Sequence, residues 1–203
     1  KNNPNFLGYA WQGHDYEGLT CNLMEWLGSD GFVGSIVDKG KITMNEKDNT
    51  RIAKNALERA RDWLKPGNIS HRQEGTEGPL QWREPGSLED FLAGNSLFLR
   101  IWSSKLQAIE ERAATNGLEV DATYLPKGEQ VRAATLGAFG VALANMTRGN
   151  QKCREKDSIR ALRWMINKTA AREYFKYGLS PVYNRAFTKE LCANAASDNL
   201  FCR

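Results

Sequence analysis

GNSLFLRIWSS (residues 94–104), ATYLPKG (122–128), LGAFGVALA (136–144) and DSIRALRWMINKTAAREYFKYGLSPVYNRAF (157–187) follow one another in the second half of the chain. Their order decides the fold. Gly94 leads a run from Ser96 to Ile101 whose continuous apolar character reads as a buried strand that delivers Trp102. A short strand over 120–126 ends at Leu125-Pro126, and a glycine-rich strand over 135–144 carries Phe139. Three helices follow, with Gly178 and Pro181 punctuating the last two. Strands interleaved with helices in this way make an α/β protein.

The first half reads as mostly helical. Tyr16, Leu19, Leu23, Trp26 and Leu27 recur at helical spacing, which predicts a helix over 15–28 closed by Gly28. Residues 31–43 are turn-rich, with Lys39-Gly40 between two short strand-like pieces. Asp48 is placed to cap a second helix, and Ile52, Ala56, Leu57, Ala60 and Trp63 form its apolar face until Pro66-Gly67 ends it. A polar loop occupies 66–86. Ser87 and Asp90 come close to a capping box and open a short helix before Gly94. Lys105 to Thr115 reads as a charged helix. Trp26, Trp63 and Trp164 all fall on apolar helix faces and are expected in the core.

Composition bounds the function. A 41% hydrophobic and 26% charged chain of 203 residues is long enough for one or two compact units with a core. The net charge of +4 is spread among alternating signs, as in LERARDW, so it marks a solvated helix surface and no nucleic-acid partner. The sequence has no apolar run of about 18 residues and no signal-peptide pattern at its start. Four cysteines (Cys21, Cys153, Cys192, Cys202) lack the spacing of a metal site. Cys192 and Cys202 bracket a short polar loop and are expected to be disulfide-bonded, with Cys21 and Cys153 free or paired across the fold. Acceptor triplets for N-glycosylation begin at Asn68, Asn145 and Asn167. An even cysteine count and these acceptors favour a secreted or extracellular protein, a eukaryotic one among the options; four buried thiols in a cytosolic protein are the alternative.

Enzyme signatures are missing. His14 and His71 are the two histidines, both in polar loops, with no nucleophile elbow, HExxH, P-loop or GxGxxG nearby. Glu110-Glu111 sits on a charged helix and reads as surface. No cofactor or metal is expected.

The four segments quoted first, together with WQGHDYEGLTCNLMEWLGSDG (11–31), resemble the extracellular solute-binding proteins of sugar ABC importers, the maltose/trehalose-binding type. The resemblance covers nearly the whole chain. It implies a periplasmic-binding-protein-like class II fold, present in part: mostly the second lobe plus the return segment of the first. The division expected is a helix-rich second-lobe portion at 1–101 and a crossover, strands and C-terminal helices at 102–203, with the N-terminal first-lobe segment absent and acting as a partner.

The resemblance also implies a site. A sugar offers one apolar C–H face and a rim of hydroxyls, so it is held by a flat aromatic ring and by groups that form paired hydrogen bonds. Trp102 matches the family tryptophan that stacks on sugar; the alternative for it is a core position. Phe139 matches the aromatic after the family's Gly-Gly pair, here Gly137-Ala138. Arg185, in SPVYNR, matches a basic loop position and could donate a bidentate pair, the alternative being an exposed loop arginine. Tyr16 and Glu17 match Tyr-Glu-Gly-Leu, where Glu17 either orients the helix start or touches ligand. A tyrosine is common two residues after the matching tryptophan, and here that position is Ser104. The function implied is non-catalytic binding of a mono- or oligosaccharide, or a related polyol, in an interlobe cleft, with a membrane transporter as partner. Two other readings stay open: a derived binding-protein-like ectodomain of a eukaryotic extracellular protein that senses a ligand or contacts a protein or receptor partner, and a carbohydrate-active enzyme.

Overall fold

The computed structural model describes residues 3–32, 36–137 and 152–176. The chain divides into two compact units: residues 1–101 with 112–136, and residues 102–111 with 137–203.

In the first unit, β1 (Leu7–Ala10) pairs in parallel with β4 (Ser96–Leu99), in the register Leu7↔Ser96, Tyr9↔Phe98 and Ala10↔Leu99. Between them come α1 (Glu17–Ser29), the hairpin β2 (Val37–Asp38) and β3 (Lys41–Ile42), α2 (Lys47–Trp63) and α3 (Glu84–Leu92). The hairpin turn is Lys39-Gly40, with φ of 48° and 76°. Two successive left-handed residues match the twist of paired strands, which is why a two-residue turn there ends in glycine.

The core lies where α1 meets α2. Trp11, Trp26, Leu27, Ile52, Ala53, Ala56 and Ala60 are buried together. Four aromatics run through it edge to face: Tyr9 to Trp63 at 5.7 Å, Trp63 to Trp26 at 5.5 Å, and Trp26 to Trp11 at 5.2 Å between ring centroids. The T-shaped order sets positive ring edges against negative faces. The small residues Ala53, Ala56 and Ala60 let α2 approach these rings. Trp26 thus takes its expected core place, and Trp63 packs against the same cluster.

Several expectations are corrected. Helix α1 runs on to Ser29, past Gly28; the left-handed turn falls at Gly31, with φ of 93°. Gly28 has another role: a Cβ there would lie 2.8 Å from the Ala133 Cβ, so its absence admits a neighbouring segment. Asp48 lies inside the first turn of α2, where its charge favours the helix dipole, and the capping position is Glu46. Helix α3 begins at Glu84 with Pro85 in its first turn, a position where the missing N–H costs nothing. Ser87 is buried inside it, and its hydroxyl donates to the Arg83 and Glu84 carbonyls. Strand β4 is not a buried strand: Leu97 and Phe98 are 58% and 57% exposed, because β1 is its sole partner among the described residues.

Residues 120–137 contain no strand. Four of their backbone donors go to α1 instead of a ladder: Gln130 and Val131 N–H to the Ser29 carbonyl (both 3.1 Å), Ala133 N–H to Ser29 Oγ (3.1 Å) and Thr135 N–H to Glu25 Oε1 (3.3 Å). Tyr124 is left 83% exposed.

The described part of the second unit holds the start of α4 (Leu106–Thr115), α5 (Lys152–Met165) and α6 (Lys168–Lys176). Asn167 caps α6, its Oδ1 accepting from Ala170 N–H at 2.9 Å. Trp164 is 63% exposed and not a core residue; Arg163 and Met165 on either side of it are exposed as well. Residues 138–144 of the expected glycine-rich strand, the third helix with Gly178 and Pro181, Cys192, Cys202 and Asn145 lie outside the described residues.

Candidate functional site

The carboxyl ends of β1 and β4 are where α/β proteins place ligand groups. Both strands here end in polar residues. β1 leads to Gln12, His14, Tyr16 and Glu17; β4 leads to Arg100 and Trp102.

Tyr16 precedes α1 and folds back over its first turn. A Cβ on Gly18 would fall 2.1 Å from Tyr16 Oη, so the glycine of Tyr-Glu-Gly-Leu exists to let the phenol lie there. The Arg83 guanidinium stands 5.2 Å from the Tyr16 ring centroid, and His14 meets the ring edge-on at 6.1 Å. Burial, then the Glu84 carboxylate beside it, hold the Tyr16 hydroxyl protonated well above the usual tyrosine range. His14 Nδ1 is buried with no hydrogen-bond partner among the described residues. A Gly18→Ala variant is therefore expected to expel the Tyr16 ring and lose about 1–3 kcal/mol of stability, as overpacking does; urea denaturation checks this, and a wild-type midpoint would contradict it.

Glu17 is exposed in the first turn of α1, and its Oε1 accepts from the Cys21 thiol at 3.1 Å. Burial first, then the Glu17 carboxylate, push the Cys21 thiol up to about 11. It is a free, buried cysteine held as the thiol, not a nucleophile.

Beneath this surface lies a buried polar group that the sequence reading did not single out. Arg100 Nη2 and Nε donate to Glu25 Oε1 and Oε2 at 2.6 and 3.1 Å, and both side chains are almost fully buried. Burial works against the Arg100 charge, but the hydrogen bonds and charge of Glu25 outweigh it and raise its pKa. Gln12 Nε2 donates to Ser87 Oγ and to the Arg100 carbonyl, both at 2.7 Å. Asn22 Nδ2 donates to the Gln12 carbonyl at 2.9 Å, and Thr135 Oγ1 to the Cys21 carbonyl at 3.0 Å. The signal for this group was present: a lone charge in each of two apolar stretches, LMEWL and SLFLRI.

In the second unit, Trp102 is partly buried and opens a tight turn, its carbonyl accepting from Lys105 N–H at 2.9 Å. Gly137 lies against the ring: a Cβ there would sit 3.2 Å from the indole. Trp102 and Gly137 are thus brought together, while Tyr16 and Glu17 are placed in the first unit. Phe139 and Arg185 lie outside the described residues. Of the glycosylation acceptors, Asn68 is exposed and its Nδ2 donates to the Asp62 carbonyl at 2.5 Å.

The fold is of the periplasmic-binding-protein type, α/β and present in part. It matches the maltose-bound structure of T. maritima MalE3 with a TM-score of 0.75 and 22% identity, over 94% of this chain and 46% of that one. The sequence is also 36% identical, over 148 residues, to a "Probable ABC transporter-binding protein" of Deinococcus radiodurans, covering 70% of this chain and 32% of that protein. The chain therefore spans about a third of the length of this curated relative. No family model matches the chain. The Deinococcus protein is named for binding, and the solved structure is described as maltose-bound.

Proposed function

We propose that this chain is part of a non-catalytic solute-binding protein that serves an ABC importer outside the cytoplasm, and that its ligand is a mono- or oligosaccharide. The observation that carries the reading is Trp102. It leaves the carboxyl end of β4 through two residues, stays partly exposed, and has Gly137 against its ring with no side chain to crowd it. A flat, partly open indole held by backbone geometry is the platform a sugar C–H face needs. The similarity to a transporter-binding protein and to a maltose-bound fold supports the same reading.

In this proposal Phe139 widens the platform and Arg185 supplies directional hydrogen bonds, while Tyr16 and Glu17 shape the entrance to α1. Partners are the sugar and a membrane transporter. Maltose is the first probe. Trp102→Ala is expected to weaken its binding by about 2 kcal/mol or more, roughly 30-fold in Kd, as loss of a buried aromatic hot spot does. Titration calorimetry decides. An affinity equal to wild type would move the platform elsewhere and favour the alternative, a binding-protein-like ectodomain for protein recognition.

A further inference from the structure

We infer that Arg83 and His14 read the hydroxyl groups of the ligand, and that the ligand at this point is a neutral saccharide and not an anion. Every residue involved belongs to the first unit. Three hydrogen bonds tie the exit of β1 to the segment that opens α3. Gly13 N–H donates to the Pro79 carbonyl at 2.8 Å, His14 N–H to the Trp82 carbonyl at 3.1 Å, and Gln12 Nε2 to Ser87 Oγ at 2.7 Å. On this base the Arg83 guanidinium stands 5.2 Å from the Tyr16 ring centroid, and the His14 ring meets the edge of the same tyrosine.

Arg83 is held differently from the arginines around it. Arg59, Arg72, Arg100 and Arg112 each meet a carboxylate: Asp30, Asp90, Glu25 and Glu89 respectively. Arg83 is exposed and stacked on a ring, and no carboxylate is paired with it among the described residues. His14 adds a buried Nδ1 with no partner among the described residues. A buried polar atom in that state calls for an occupant. A guanidinium stacked on an aromatic ring keeps its plane, and its fork of donors fits two neighbouring oxygens. Charge decides which oxygens. Asp15, Glu17 and Glu84 adjoin Tyr16 and Arg83 in the chain, three carboxylates against one guanidinium, so an anion is repelled. A saccharide hydroxyl carries no charge and works in both directions. Its oxygen accepts from Arg83, and its proton goes to His14 Nδ1 in the tautomer that carries hydrogen on Nε2. The roles of Arg83 and His14 rest on the reading of the ligand as a saccharide.

The test uses the whole chain and its two histidines, His14 and His71, whose ring signals are read by NMR. His71 is the reference, because its Nδ1 is already taken by the Leu64 carbonyl at 3.0 Å. Glucose, maltose and trehalose are added in turn, then citrate as an anion. A saccharide that raises Tm is expected to move the His14 signals and leave those of His71 in place, and citrate to move neither. Arg83→Met keeps the stem and removes the donors. It is expected to weaken that saccharide at least about tenfold, as loss of a charged hydrogen-bond donor does. A rise in Tm with His14 unmoved, both histidines moving alike, His14 moving with citrate, or wild-type affinity in Arg83→Met would each overturn the inference and leave the sugar reading standing. Saccharides that neither move His14 nor raise Tm would defeat both.

Discussion

Replacing Arg100 with alanine is expected to cost about 3–5 kcal/mol of folding stability, because it leaves the Glu25 carboxylate buried without its partner. The loss should be far greater than that of the exposed pair Arg112–Glu89, although both are bidentate and both include a 2.6 Å contact. Water screens the exposed pair, so its net contribution is small. Urea denaturation of Arg100→Ala and Arg112→Ala, side by side, measures the difference. Equal losses would show that Glu25 reaches water in the folded state.

The second large effect is expected at Trp11. Its indole is 2% exposed, meets Trp26 edge to face, and donates from Nε1 to Ser70 Oγ at 3.3 Å. Ser70 Oγ in turn donates to the Tyr9 carbonyl at 2.7 Å, so the ring ties β1 to the loop after α2. Trp11→Ala should cost about 3–5 kcal/mol through lost transfer energy and the cavity left behind. Trp164→Ala, at an exposed position on α5, should stay within about 0.5 kcal/mol of wild type. A thermal melt of each variant checks the pair. A large loss at Trp164 would mean that α5 is covered in solution.

These contrasts show what the sequence made legible and what it did not. The α/β class, α1, α2 and the Lys39-Gly40 hairpin could be read because each leaves a local signal: an apolar period of 3.6 or a turn that demands glycine. Strand β1 was missed, although Leu7 to Trp11 is the short mixed apolar run of a strand buried in a parallel pair. The short apolar runs at 120–126 and from 135 onward suggest strands, but the structure has none at 120–126 or 135–137. Hydrogen bonds from residues 130–135 go to Ser29 and Glu25 of α1, a pairing that no local pattern announces. Pro85 was the true start signal of α3, and Ser87 was mistaken for it because a serine followed by acids resembles a cap. Tyr16 could be singled out by motif, but its fold onto Gly18 and its contact with Arg83 depend on a residue 67 positions away and on the helix it caps. Glu25 and Arg100 are far apart in the chain, and one-dimensional patterns price each charge alone.

The central claim is that the chain binds a sugar, and the most direct measurement is a thermal melt of the whole chain against a panel of mono- and disaccharides that includes maltose. A ligand that binds only the folded state raises stability by mass action, by about 2.7 kcal/mol at a concentration one hundred times Kd. For a chain of this size that is on the order of 5–10 °C in Tm. The account predicts such a shift with at least one saccharide and its loss in Trp102→Ala. A Tm that no saccharide moves, in a chain that melts cooperatively, would contradict it.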